Sequence, residues 1–332
     1  MTFDNIRLDK GLYGTTKSFT QALEGIDPSE NYKGTELEGL DAYQRQLKRF
    51  DIKVSGRNSD SIEKFFRTSD SAALFPEYVS RAVAQGMKDA DLVSKIIATT
   101  TVIDTLDYRA LSCPDSIDAT AAGEDELINE IKLTTQSNLI PLTKRGSVLT
   151  ASYEAIKHQR LDLFTVTLKQ IGAAIARAQL TDALETIIYG DGNNNPAASS
   201  NTAANGTITY ADLVSFWNTF TNFNLTTLVA SPDVVAAILK LAEFRDVYTG
   251  LDFHSAGKIV TPFGAELYKS ASLPTGTLIG LDKNCALEKV QAGSIVTEYD
   301  KLIDRQLDRA AITSVAGFAK IYKDASKQLT LA

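Results

Sequence analysis

Between Ala98 and Gly192 the alternation of apolar and polar positions changes character twice. Residues Thr101–Tyr108 (TVIDTLDY) and Ser147–Tyr153 (SVLTASY) alternate β-branched or aromatic residues with polar ones, as strands with one covered face do. The stretch between them is mostly Ala, Asp, Glu, Asn and Thr and cannot make a core of its own. Then Leu161, Phe164, Leu168, Ile171, Ile175 and Ala178 take up three-and-four spacing, which Leu184, Ile187 and Ile188 resume. That pattern predicts one helix of about 28 residues, roughly 40 Å long, with Gly190 as its left-handed stop. A strand-patterned excursion without a core needs a cover, and in a soluble chain the natural cover is a neighbouring copy.

The flanks carry weaker patterns. Residues Met1–Phe66 are the least core-like: Lys33–Lys53 mixes charge with Leu37, Leu40, Leu47 and Phe50, and Gly11, Gly14 and Gly25 interrupt what precedes it. They read as an arm. Pro76 suits a first helical turn and Glu77 its positive end, with Val79, Val83 and Met87 on one stripe and an end near Gly86 to Asp91. Gly206–Leu281 reads as an α/β piece. In it Thr209 and Asp212 box the start of a helix, Thr226–Ala230 is a strand, and Ser231, Pro232 and Asp233 start a second helix. A loop rich in Gly, Asp and Ser follows at Tyr248–Lys258, then strands at Ala265–Tyr268 and Thr277–Leu281. Beyond Cys285 the pattern is strand throughout, at Ser294–Tyr299, Ala311–Val315 and Phe318–Tyr322.

Composition narrows the class. With 332 residues, 44% hydrophobic and 23% charged, the chain has ample material for a core. A net charge of −7 argues against a protein that wraps nucleic acid. Two cysteines, Cys113 and Cys285, fit neither a disulfide framework nor a metal knuckle and suit a reducing compartment. No apolar run approaches a membrane span, and the N-terminus lacks a signal-peptide pattern.

Catalytic constellations are missing at the level of sequence. His158 and His254 are the two histidines, each read as a surface or interfacial residue. No nucleophile elbow, dinucleotide turn or phosphate loop is present. Asp191, Asn193 and Asn195 imitate the start of a calcium loop, but Pro196 stands where its glycine should be and Thr202 where its glutamate should be. Helix termination is the better reading. The carboxylates Glu124, Asp125 and Glu126, and Asp304 and Asp308, read as solvated faces. No cofactor and no metal is expected.

The order of pieces resembles a known family. Thr99–Asp107 (TTTVIDTLD), Ile140–Gly146 (IPLTKRG) leading into Leu149–Glu154 (LTASYE), and the long helix with its Gly-Asp-Gly end look like the centre of an HK97-type tailed-bacteriophage major capsid protein. Ala73–Val79 (ALFPEYV) is similar to that family's approach to its first core helix. Gly280–Glu288, Asp300–Asp308 and Gly317–Ile321 resemble its closing strands.

The resemblance implies an α+β fold: N-terminal arm (1–66), first helix of a peripheral domain (67–100), extended β-hairpin loop (101–152), spine helix (153–205), axial α/β domain (206–281) and closing strands (282–332). It implies a structural subunit, not an enzyme, that assembles into hexamers and pentamers of an icosahedral shell around double-stranded DNA. Its partners would be further copies of itself, scaffolding and portal proteins and, non-specifically, packaged DNA, with no membrane. It would be assembled in the host cytoplasm and reside in the virion capsid. Inter-subunit contacts are expected at Asp118, Glu124, Glu126, Lys132, Lys144, Arg145, Tyr248, Asp252 and His254. Some members cross-link a hairpin lysine to a neighbour's asparagine; Lys132 or Lys144 with Asn284 would fill those roles, against the simpler reading of surface residues. Two alternatives remain: an encapsulin-like compartment shell and, more distantly, a cytosolic α/β enzyme with its site in 206–281.

Overall fold

Short polar signals set several of the helix starts. The computed structural model describes residues 2–13, 18–113, 121, 131, 133–154, 159–245, 261 and 263–331. Within them the helices are α1 (Phe19–Ile26), α2 (Ala42–Arg49), α3 (Ser69–Ala72), α4 (Phe75–Asp89), α5 (Leu161–Tyr189), α6 (Tyr210–Asn218), α7 (Pro232–Ile238) and α8 (Ala242–Arg245). The strands are β1 (Thr99–Ile103), β2 (Leu111–Ser112), β3 (Thr134–Thr135), β4 (Thr143–Ser152), β5 (Ala198–Asn201), β6 (Thr227–Ala230), β7 (Glu266–Lys269), β8 (Thr277–Leu281), β9 (Leu287–Leu302), β10 (Leu307–Lys320) and β11 (Ser326–Thr330). Capping boxes open α1 (Ser18 with Gln21), α2 (Asp41 with Gln44) and α6 (Thr209 with Asp212). Ser231 holds the N-cap position of α7, but its hydroxyl makes no cap bond. Gly190, at φ +89°, ends α5 where the sequence places the stop.

Contact clustering divides the chain into two compact units, each built from three separate stretches. The first comprises Met1–Ala90, Gly146–Ile175 and Ile295–Ser314. Its core joins Val79 and Val83 of α4 and Leu161, Phe164 and Leu168 of α5 to Leu23, Tyr43, Leu47, Ile62 and Phe65. The sequence reading of Met1–Phe66 as a stretch with little core is thereby corrected. Its apolar residues sit on two-turn helices and single 3₁₀ turns, too short for any period to repeat visibly. Arg45 is fully buried there. Its Nε donates to Asp27 Oδ2 at 2.7 Å, its Nη1 to Leu40 O at 2.6 Å, and its guanidinium lies 4.4 Å from the Tyr32 ring centre. The buried charge is tolerated because its donors are paired with Asp27, Ser29 and Leu40.

In the same unit α4 and α5 touch backbone to backbone. A Cβ on Gly86 would lie 2.1 Å from the Lys169 carbonyl oxygen, and one on Gly172 would lie 2.1 Å from that of Val83. The helix ends at Asp89, within the stretch expected for it, and Gly86 in its last turn is needed because a glycine allows this approach.

The second unit comprises Asp91–Arg145, Ala176–Ser294 and Val315–Ala332. Its five-stranded sheet has the order β5-β11-β8-β6-β7, with β11/β5 and β6/β7 parallel and β11/β8 and β6/β8 antiparallel. Val229, Ile279 and Leu281 face Leu184 and Ile187 of α5, whereas Leu228, Ala230 and Leu278 face α6 and α7. Both faces are covered, which is why β6 and β8 read as unbroken apolar runs.

A further sheet has the order β1-β9-β10-β4. The two strand-patterned runs at Thr101–Tyr108 and Ser147–Tyr153 thus lie on its opposite edges and do not pair with each other. Alternation identifies a strand but not its partner, and β9 and β10, each longer than the sequence suggested, supply the partners here.

Candidate assembly surface

The excursion begins at β1, which runs parallel to β9 with Thr99 opposite Glu288. Glu288 is buried, and its carboxylate accepts bonds from the Thr101 hydroxyl and, at 2.8 Å, from that of Tyr108. Burial, together with the Glu288 charge, raises the Tyr108 phenol above its ordinary range, so it stays a donor. A hairpin stem follows: Leu111 pairs with Thr135 and Ser112 with Thr134. Gln136 N donates to Ala110 O at 2.8 Å, and Ile140 N to Tyr108 O at 2.9 Å.

The loop after α5 clamps the returning limb. Asp191 is 1% exposed and accepts from Lys320 N at 2.9 Å and from Gln136 Nε2 at 3.3 Å. Asn193 Nδ2 donates to Gln136 Oε1 at 2.8 Å, and Asn138 Nδ2 to Gly192 O at 2.7 Å. The residues that imitate a calcium loop are spent on this clamp, and no group of three metal-capable side chains exists among the described residues.

Lys320 is 1% exposed, and its Nζ has no hydrogen-bond partner. Burial pulls its pKa down to about 8, against the opposing pull of Asp191 and Asp324, with Lys323 adding to the depression. The unfolded lysine titrates near 10.4, so stability rises as pH climbs from about 8 to about 10.4 and is flat below that window. Lys320→Met is expected to stabilise the protein by about 2 kcal/mol at pH 7. Denaturant melts at pH 7 and pH 10 check this: the gap between mutant and wild type should close at the higher pH, and a gap independent of pH refutes the cause given.

Further along, Arg145 reaches Asp182 of α5 with two bonds, Nη2 to Oδ1 at 2.5 Å and Nε to Oδ2 at 3.0 Å. The bond to Asp182 and its charge hold the guanidinium pKa above its ordinary value. Of the expected contact residues, Arg145 is therefore engaged within its own chain, and Lys144 beside it is exposed. Asn284 is exposed as well. Asp118, Glu124, Glu126, Lys132, Tyr248, Asp252 and His254 lie outside the described residues, as does His158.

Against these polar ties stands an outward apolar series: Val102, Leu106, Leu111, Ile131, Leu133, Leu139 and Val148 are each roughly half exposed or more. On β4 the alternation is explicit, since Leu149 and Ala151 pack inward while Val148 faces out. Covering one such side chain is worth about 1.5–3 kcal/mol, so the series can hold a partner without any single strong contact. Sequence reasoning missed Glu288, Gln136, Asn138 and Asp182. Each is a lone polar residue whose role is set by distant neighbours, and no local spacing announces it.

A covered five-stranded sheet in the second unit, and a limb tied down at its root with exposed apolar side chains on its described residues, suit a shell subunit. The chain belongs to the phage capsid protein family: the family model described as "Phage capsid protein" matches residues 135–319. Its fold is that of HK97-type capsid proteins, and it is a structural capsid subunit of the virion. Solved structures agree in fold at low identity. The virus-like particle from Pyrococcus furiosus is 12% identical over 76% of this chain and 98% of its own, with a TM-score of 0.54. The capsid of a native GTA particle is 13% identical over 76% and 90%, with a TM-score of 0.55. The capsid of cyanophage P-SCSP1u is 14% identical over 72% and 87%, with a TM-score of 0.51. None of the curated proteins compared matches the chain.

Proposed function

We propose that this chain assembles into hexamers and pentamers that close an icosahedral shell around double-stranded DNA. The observation that carries the reading is the apolar series on a limb rooted by Glu288, Gln136 and Arg145. A root fixed by directional polar bonds aims the limb, and unpaired apolar side chains give it something to bury. In this reading residues 101–152 are the extended loop laid over a neighbour, 1–66 an N-terminal arm, 67–100 and 153–205 the peripheral domain, 206–281 the axial domain and 282–332 the closing strands. Contacts from Asp118, Glu124, Glu126, Lys132, Lys144, Tyr248, Asp252 and His254 complete the interfaces. Scaffolding and portal proteins guide assembly in the host cytoplasm. The chain's net negative charge lets the inner wall contain DNA without gripping it.

Electron microscopy of the purified protein at rising concentration, with and without scaffold, should show rings, tubes or closed particles. A strictly monomeric protein throughout would sink the proposal. Likeness to the Pyrococcus furiosus particle supports a second reading, a compartment shell with protein cargo. Nucleic-acid content of particles isolated from cells separates the two.

A further inference from the structure

Cys113 and Cys285 lie far apart in the sequence and converge on Tyr322. Cys113, just beyond β2, lines a cavity of about 560 Å³ together with Ile321 and Lys323, the residues on either side of Tyr322. From the other direction, Ile321 N donates to Ala286 O at 3.1 Å, which sets Cys285 beside the same turn of chain. Cys285 and Tyr322 pack on one apolar cluster. Burial, then the nearby Cys113 thiol and after it Cys285, hold the Tyr322 phenol above its ordinary range. Both thiols are unlinked and half-buried.

We propose that Cys113 and Cys285 are a redox-responsive pair, which a small-molecule disulfide entering the cavity converts into an intrachain bond. The cavity wall carries hydroxyls of Ser112, Thr134 and Ser137, the amide of Asn193 and the ammonium of Lys323, groups suited to the amides and carboxylates of a peptide disulfide such as oxidised glutathione. In the first step the Cys113 thiolate attacks one glutathione sulfur, the S–S bond breaks, and one glutathione thiolate leaves. In the second the Cys285 thiolate attacks Cys113 Sγ of the mixed disulfide and expels the other glutathione. The two protons released by the cysteines pass to the two departing thiolates. Two cysteines are oxidised and one glutathione disulfide is reduced. Cys113 takes the first step because it faces the cavity. Burial, then the charge of Asp282, raises the Cys285 thiol pKa, so Cys285 acts as the slower, resolving partner. Closure requires the sulfurs to come to about 2.05 Å with Cα atoms within about 7 Å.

The bond would join the outgoing limb of the hairpin to the start of β9, at the root that aims the exposed series. A reducing cytosol keeps the pair open, and an oxidising exterior closes it. The benefit to a shell rests on the assembly reading above; the bond itself is a property of the folded chain.

The test uses full-length protein exposed to oxidised glutathione at pH 8, quenched by alkylation and read by intact mass and non-reducing peptide mapping. Both thiols should disappear together with one Cys113–Cys285 peptide per chain, and Cys285→Ser should instead retain one glutathione on Cys113. The proposal is overturned if the wild type accumulates that adduct while Cys285 stays free, if the link forms between chains, or if neither thiol reacts in the folded protein. Because no step is read through particle formation, a failure of the shell reading leaves this result interpretable.

Discussion

Replacing Gly172 with alanine is expected to lower the unfolding free energy by about 3 kcal/mol. In an exposed helix interior the same change stabilises by up to about 1 kcal/mol, because alanine is the better helix former. The sign reverses here because the new methyl would meet the Val83 carbonyl oxygen at 2.1 Å. Backbone cannot step aside as a flexible side chain can, so α4 and α5 would have to separate and loosen the core around Val79, Val83 and Leu168. Gly86→Ala meets Lys169 in the same way and should cost a similar amount. Gly25 of α1 is the control: a Cβ there meets nothing within 4 Å, so alanine should be neutral or stabilising. Denaturant unfolding of the three variants checks the argument, and a Gly172→Ala protein as stable as the wild type would refute the close approach.

Removal of Asp115–Asn129 should abolish closed particles while shifting the melting temperature by no more than about 2 °C. The stem bonds of Leu111 and Ser112 with Thr135 and Thr134, the Gln136 clamp and the Arg145–Asp182 pair all lie outside the deleted stretch. The variant thus keeps its root and loses its reach. Particle counts by electron microscopy, beside a thermal melt of the unassembled protein, separate failure to assemble from failure to fold. Normal shells from the variant would show that the interface lies elsewhere.

These two experiments also mark where the sequence was readable. The helix Leu161–Tyr189 was legible almost to the residue because its period repeats over many turns and a glycine ends it. The box at Thr209 and Asp212 was legible because the signal is local. The end of α4 at Asp89 falls in the stretch read for it, but the packing role of Gly86 was hidden, since a sequence shows that a side chain is missing but not what occupies the space. The partners of β1 and β4 were hidden for a related reason: register depends on β9 and β10, which lie far along the chain. At the assembly surface the exposed apolar side chains could be inferred from a strand pattern without a core. Glu288, Gln136 and Asp182 could not, because a single buried polar residue carries no period.

The position of β11 bears on the order of synthesis. This strand, which follows β5, β6, β7 and β8 in sequence order, is inserted between β5 and β8 rather than added at the margin of its sheet. Until those residues have been made, β8 has one unpaired edge and β5 has no partner strand. Folding that depends on such distant pairing is slow, and prematurely terminated polypeptides cannot finish it. A chain that stops short of β11 cannot complete the five-stranded sheet of the second unit.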